Sequence, residues 1–243
     1  MFWNSITKPA VAVLALAFGA SAATAAPLVV RSSGPSAPAF RPGTALADDA
    51  KIALKAGDTL VILDGRGTRT LRGPGTFSVR AASSQLAETR RAPAQASGTR
   101  ARIGAVRGLA GIGESTRNPN IWFIDVARSA RICVTDPQSV TLWRGLPREP
   151  ATMTIAGGGE TAKVEWLNNQ STRDWPASLP VTDGAEYTIA ASASRPATTL
   201  RFVVIASQSA GLEDTASLLI RNGCQAQLDL LIDTVSTSGA TAP

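Results

Sequence analysis

The sequence predicts a mainly β protein: a small β-meander module, then an antiparallel β-sandwich-like domain that ends in two helices. Three features predict it. Residues 51–79 hold short apolar runs separated by Gly-Asp, Asp-Gly and Gly-Pro-Gly turn signals. Between residues 121 and 206 seven more such runs recur, again with turn residues between them. From Leu212 to Val235 the apolar period changes to i, i+3, i+4, the stripe of a helix that buries one face.

Residues 1–25 read as a cleavable secretory signal. Lys8 carries the one side-chain charge ahead of an apolar stretch (9–18, PAVAVLALAF), and Ala23-Thr24-Ala25 fits the small-x-small rule for a cut before Ala26. The stretch is about half of the ~20 apolar residues that a spanning helix needs. No cysteine lies near the cut and no Arg-Arg pair precedes it, which disfavours lipid anchoring and twin-arginine export. The expected location is the periplasm, with secretion as the alternative, and no membrane span is expected in the mature chain.

Residues 26–47 are rich in Pro, Ser, Gly and Ala without apolar period, and predict a flexible tether. Residues 48–82 form the first β module. Ile52 and Leu54 alternate with polar neighbours, Gly57-Asp58 turns the chain, and the run from Thr59 to Leu63 (TLVIL) is apolar enough for a strand buried on both faces. Asp64-Gly65 signals a hairpin. Strands at 68–71 and 76–79, separated by Gly73-Pro74-Gly75, complete a meander too small to bury a core alone. The glycines of GRGTRTLRGPG are turn punctuation. A phosphate loop ends in Gly-Lys-Ser/Thr and opens a helix, whereas Pro74 and β-formers follow here.

The stretch AGDTLVILDGRGTRTLRGPGTFSV (56–79) resembles the FecR-type periplasmic domain. That family shows a Gly-Asp turn, a short apolar strand, a Gly-containing turn and a Gly-Pro element leading to another strand. The resemblance covers residues 51–80. It implies a β-rich envelope module used in protein–protein signalling or scaffolding, with no catalytic residues to carry over. Signalling members also carry a cytoplasmic anti-sigma segment and a membrane span. This chain shows only a leader, so a direct transmembrane signalling role is not expected.

Charge divides the chain. Residues 26–117 hold 14 basic and 6 acidic side chains, and residues 118–243 hold 9 basic and 12 acidic. The Arg-rich connector at 83–119 carries Arg90, Arg91, Arg100, Arg102, Arg107 and Arg117 against Glu88 and Glu114. Such a segment suits an anionic cell-wall polymer or an acidic partner, and an exposed linker face explains it equally well. Export argues against nucleic acid. Residues 85–91 predict a helical turn or two, and 103–112 a short docked strand or helix.

The second domain spans residues 120–236. Its predicted strands are 121–126, 131–135, 140–143, 152–155, 162–167, 186–191 and 199–206, with Trp122, Trp143 and Trp166 in its core or rim. Asn222-Gly223 should divide the helical stretch in two, and the pair is expected on one sheet face. Residues 237–243 predict a disordered tail.

The chain contains no histidine and two cysteines. The first fact removes Ser-His and Cys-His catalysis and most zinc and copper sites. No cofactor is expected. In an oxidising compartment Cys133 and Cys224 predict a disulfide, and the absence of Cys-x-x-Cys leaves a redox enzyme unsupported. Glu160, Glu165, Asp174, Asp183 and Glu186 cluster in sequence around Trp166 and Trp175. A sugar hydrolase would need two of them converging beside an aromatic platform. Trp175 and Tyr187, set among Pro176, Pro180 and Asp183-Gly184, are candidates for an exposed interaction patch, although aromatic residues near strands more often pack than bind. The alternative is that Trp175 and Leu179 lid the edge of the sandwich.

The function expected from these residues is that of a non-enzymatic exported cell-envelope protein, acting as a protein-interaction or scaffold module on an unidentified envelope protein. The alternative is a glycan- or peptidoglycan-binding module that uses the Arg-rich half and Trp175. A carboxylate-based hydrolase is the remote third.

Overall fold

The computed structural model describes residues 26–65, 67–79, 117–145, 149–191, 196–206 and 211–239. The leader, most of the Arg-rich connector with its predicted local elements, and the last four residues of the predicted tail lie outside the described residues.

The first module is built on the apolar run from Thr59 to Leu63. Strands β1 (Leu28–Ser33), β3 (Thr59–Asp64) and β4 (Gly67–Arg72) form an antiparallel sheet in the order β1-β3-β4. Strands β2 (Lys51–Leu54) and β5 (Gly75–Ser78) form an antiparallel ribbon. Because successive strand residues face opposite ways, β3 supplies two cores. Leu60 and Ile62 join Val29, Leu46, Ile52, Leu54, Leu71 and Val79 between sheet and ribbon. Val61 and Leu63 face the other way with Leu28 and Val30. The predicted tether is therefore corrected in part. Leu28, Val29 and Val30 are buried in β1, and the Leu46 amide donates to the Pro27 carbonyl at 2.8 Å.

The second module is a sandwich of two sheets. One has five strands in the order β10 (Glu160–Trp166), β9 (Ala151–Gly157), β12 (Glu186–Ala190), β13 (Thr198–Val204), β7 (Ala130–Val134). The other has three, in the order β11 (Thr172–Asp174), β8 (Thr141–Trp143), β6 (Phe123–Asp125). Pairing is antiparallel except for β13 with β7 and β6 with β8, which are parallel. Ile124, Leu142, Ile155, Trp166, Leu179, Ile189, Leu200 and Phe202 fill the space between the sheets. All seven predicted strands of this domain are present with ends shifted by a few residues. β11 is additional. Trp122 precedes β6 and packs with the helices instead of the sandwich core.

Helices α1 (Leu212–Arg221) and α2 (Gln225–Gly239) follow. Glu213 and Asp214 in the first turn of α1 and Arg221 in its last complement the helix dipole. Gly223 at φ +68° then turns the chain into α2, where a side chain would be strained. The α2 backbone continues to Gly239, three residues into the predicted tail. The expected seat of the pair on a sandwich face is corrected. Helix α1 lies against β1 and β3, and α2 lies against β4 and β7. Ala216, Leu219, Leu228, Leu231 and Ile232 thereby bury the outer face of the first module's sheet, meeting Leu28, Val30, Val61 and Leu63. The first module obtains its second core from the helices, and the helices join it to the sandwich. An Arg31–Asp229 ion pair and a Thr68 Oγ1–Ser236 Oγ hydrogen bond of 2.5 Å edge this seam.

Candidate functional site

The predicted aromatic patch is an interior cluster. Tyr187 is only 5 % exposed, which corrects its assignment to an exposed surface. It lies directly across from Gly157 on β9, and a Cβ at Gly157 would come within 2.2 Å of the Tyr187 ring. The glycine leaves the space that the ring fills. The Tyr187 hydroxyl donates to the Pro180 carbonyl at 2.6 Å, and Trp175 Nε1 donates to the Leu179 carbonyl at 2.5 Å. Trp175, Tyr187 and Phe202 meet edge to face, with centroids 5.0, 5.1 and 5.5 Å apart. Both polar handles are satisfied and the rings pack on the core, so Trp175 and Leu179 close the sandwich edge. Arg90, Arg91, Arg100 and Arg102 lie outside the described residues.

The five candidate carboxylates do not form a buried pair. Glu160, Glu165, Asp174, Asp183 and Glu186 are all exposed. Asp183 accepts from the Val204 amide at 2.9 Å, a capping role, and Glu186 stands opposite Arg201 in the sheet. Among the described residues no three acidic or thiol side chains come close enough to hold a metal ion, and no helix is long and apolar enough to cross a membrane.

Cys133 and Cys224 form the disulfide, with Cα atoms 5.9 Å apart and both residues buried. It joins β7 to the start of α2. Beside it, buried Gln227 closes on the backbone of Cys133 from both sides. Its Oε1 accepts from the Cys133 amide at 2.7 Å, and its Nε2 donates to the Cys133 carbonyl at 3.0 Å and to the Ile121 carbonyl at 3.0 Å. A primary amide carries the same donor and acceptor as a peptide, so Gln227 pairs with β7 as a neighbouring strand would. No sequence feature singled it out.

The opposite flank of the sandwich is organised by Arg144, at the end of β8. Its guanidinium lies 4.8 Å from the Trp166 ring centroid and donates to the carbonyls of Gln170 (2.9 Å), Leu167 (2.9 Å) and Glu149 (3.1 Å). Burial lowers its pKa from the ordinary value. The carbonyl ends and the ring face carry part of the solvation that water would otherwise supply. The Leu167 amide donates to Gln170 Oε1 at 3.0 Å, and Asn169 takes φ +57°. The turn is thus held from both sides, and it presents Leu167 at 65 % exposure, the one exposed large hydrophobic side chain among the described residues.

Next to this turn a polar groove of about 440 Å³ runs between β10 and β11, lined by Lys163, Val164, Gln170, Thr172, Arg173, Asp174 and Pro176. Both strands are the last of their sheets. Gly158 and Gly159, both at positive φ, make the two-residue turn from β9 to β10. The closing pair Gly157–Glu160 of such a hairpin is hydrogen-bonded, and bonded pairs alternate. Thr161, Lys163 and Glu165 therefore direct their backbone groups away from β9. On β11 the Ser171 carbonyl accepts from Arg144 and the Trp175 amide donates to Val140, which leaves Thr172 and Asp174 directed outward. The flank thus combines two open edges, a polar groove and a fixed apolar side chain. The chemistry available there is docking of another β-strand.

No protein-family model matches this chain, and no curated protein and no solved structure matches it either.

Proposed function

We propose that this chain is a non-enzymatic, exported cell-envelope protein that acts as an interaction or scaffold module, with a FecR-like first module and a periplasmic location. The observation that carries the reading is the union of the two β modules by one helical hairpin. The hairpin fills the outer face of the first sheet and is fixed to β7 by a disulfide and by Gln227. A body held in this way displays surfaces in constant relation to one another, which suits a scaffold. The buried disulfide suits an oxidising compartment. The exposure of all five candidate carboxylates favours an interaction role over hydrolysis.

The test is chemical crosslinking in intact envelopes, followed by recovery of the protein under denaturing conditions. A reproducible adduct of defined mass is expected. Free protein throughout, with no adduct, contradicts the reading.

A further inference from the structure

We propose that β10 is a self-docking edge, along which two copies of the chain pair antiparallel about Val164, with Lys163 of one opposite Glu165 of the partner subunit. The inference specifies a surface for the interaction-module reading and rests on it.

The two outer edges of the five-stranded sheet are treated differently. At β7 the Gln227 amide occupies the backbone groups of Cys133, and α2 packs alongside. At β10 nothing among the described residues pairs with the outward groups of Thr161, Lys163 and Glu165. The strand keeps an unbroken seven-residue register with β9 and contains no proline. Long, regular, uncovered edges are templates for another strand.

Charge selects the partner and the register. Antiparallel pairing must join residues whose backbone groups face outward, so Lys163 meets Lys163, Glu165 or Thr161 of the second copy, and the Thr161 register sets no opposite charges together. The first register sets like charges directly opposite, which is unfavourable across strands. The second makes two Lys163–Glu165 pairs by symmetry, one on each side of the two-fold axis. Lys163 alone would protect the edge by repulsion. Glu165, two residues on and on the same face, makes the edge complementary to itself, as an isologous interface requires. The same register sets Leu167, which Arg144 holds exposed, opposite Thr161 of the partner subunit and covers part of its apolar surface.

Sedimentation equilibrium on the purified full chain, from micromolar to submillimolar concentration, tests the proposal. The wild-type chain is expected to form a dimer. Lys163→Glu and Glu165→Lys are each expected to weaken association by about tenfold or more, and the double reversal to restore it. Lys163→Pro removes only an amide that faces away from β9 and is expected to abolish the dimer. The charge reversals stand on their own if that variant fails to fold. A monomeric wild type, or a double reversal no better than the single ones, overturns the proposal. A monomer that still crosslinks to a different envelope protein overturns self-docking and leaves the interaction-module reading standing.

Discussion

The side chain of Gln227 on α2 completes the backbone hydrogen bonding of Cys133 on β7, accepting from its amide at 2.7 Å and donating to its carbonyl at 3.0 Å. One residue thus closes a sheet edge and aligns the helix that begins directly after the disulfide's Cys224. Both groups are buried, so removing the amide strands a donor and an acceptor together. Gln227→Leu is expected to lower unfolding free energy by about 3 kcal/mol, measured by urea denaturation. Gln227→Glu keeps an acceptor for the Cys133 amide and loses the donor, and is expected to destabilise as well.

The disulfide spans 91 residues of sequence. Chain entropy assigns such a loop about 4–5 kcal/mol. Replacing both cysteines by serine is expected to approach that loss in denaturant titrations. Both sulfurs are buried, so reduction of the native protein should follow its unfolding rate: a mild reductant is expected to act slowly in buffer and fast in denaturant.

Asp58 holds two turns of the first module together, accepting from the Ser36 amide at 2.8 Å and the Lys55 amide at 2.5 Å. Burial pushes its carboxyl upward. The hydrogen bonds from Ser36 and Lys55, with the Lys55 charge, outweigh that and hold it below 3.8. A carboxyl with a depressed folded pKa stabilises above its unfolded value, and that contribution is lost as pH falls through the folded value. Stability is therefore expected to fall below about pH 4. Asp58→Asn should be less stable at neutral pH and lose less on acidification. Urea titrations at several pH values measure both effects.

Gly34 faces the same carboxylate. It sits at φ +99°, and a Cβ there would lie 2.5 Å from Asp58 Oδ1. Gly34→Ala is expected to cost about 2 kcal/mol or more, read as a lowered urea midpoint with an unchanged β circular dichroism spectrum.

The aromatic cluster should respond as a core. Tyr187→Phe removes one hydrogen bond and is expected to cost about 1 kcal/mol, while Tyr187→Ala should cost about 3–5 kcal/mol. Gly157→Ala should match the larger loss, because the added methyl meets the ring. Thermal denaturation followed by tryptophan fluorescence separates the three. A loss of partner binding with unchanged stability would instead restore the exposed-patch assignment.

Much of the fold is legible where periodicity and turn chemistry agree. Lys51 to Ser78, Ala151 to Trp166 and the break at Asn222-Gly223 are examples. β1 is concealed because Leu28-Val-Val30 is brief and is followed by a Ser-, Pro- and Gly-rich stretch, while its partners lie thirty residues on in β3. β11 carries no apolar residue, and hydrogen bonding to β8 alone defines it. The helical stripe shows that one face is buried and cannot name the surface that buries it, hence the misplaced seat of α1 and α2. Site residues are harder still. Tyr187 has the composition of an interface residue, and its burial depends on Gly157 thirty residues earlier in the chain. Gln227 and Arg144 act through backbone groups distant in sequence, which no local pattern encodes.

The central proposal is that two copies of the chain dock along β10, beside Leu167. Its most direct test is a photo-crosslinking residue at position 167, compared with one at exposed Gln138, in intact envelopes. The expected result is an adduct of twice the chain mass through position 167 and none through position 138. Equal adducts at both positions, or none at position 167, would contradict it.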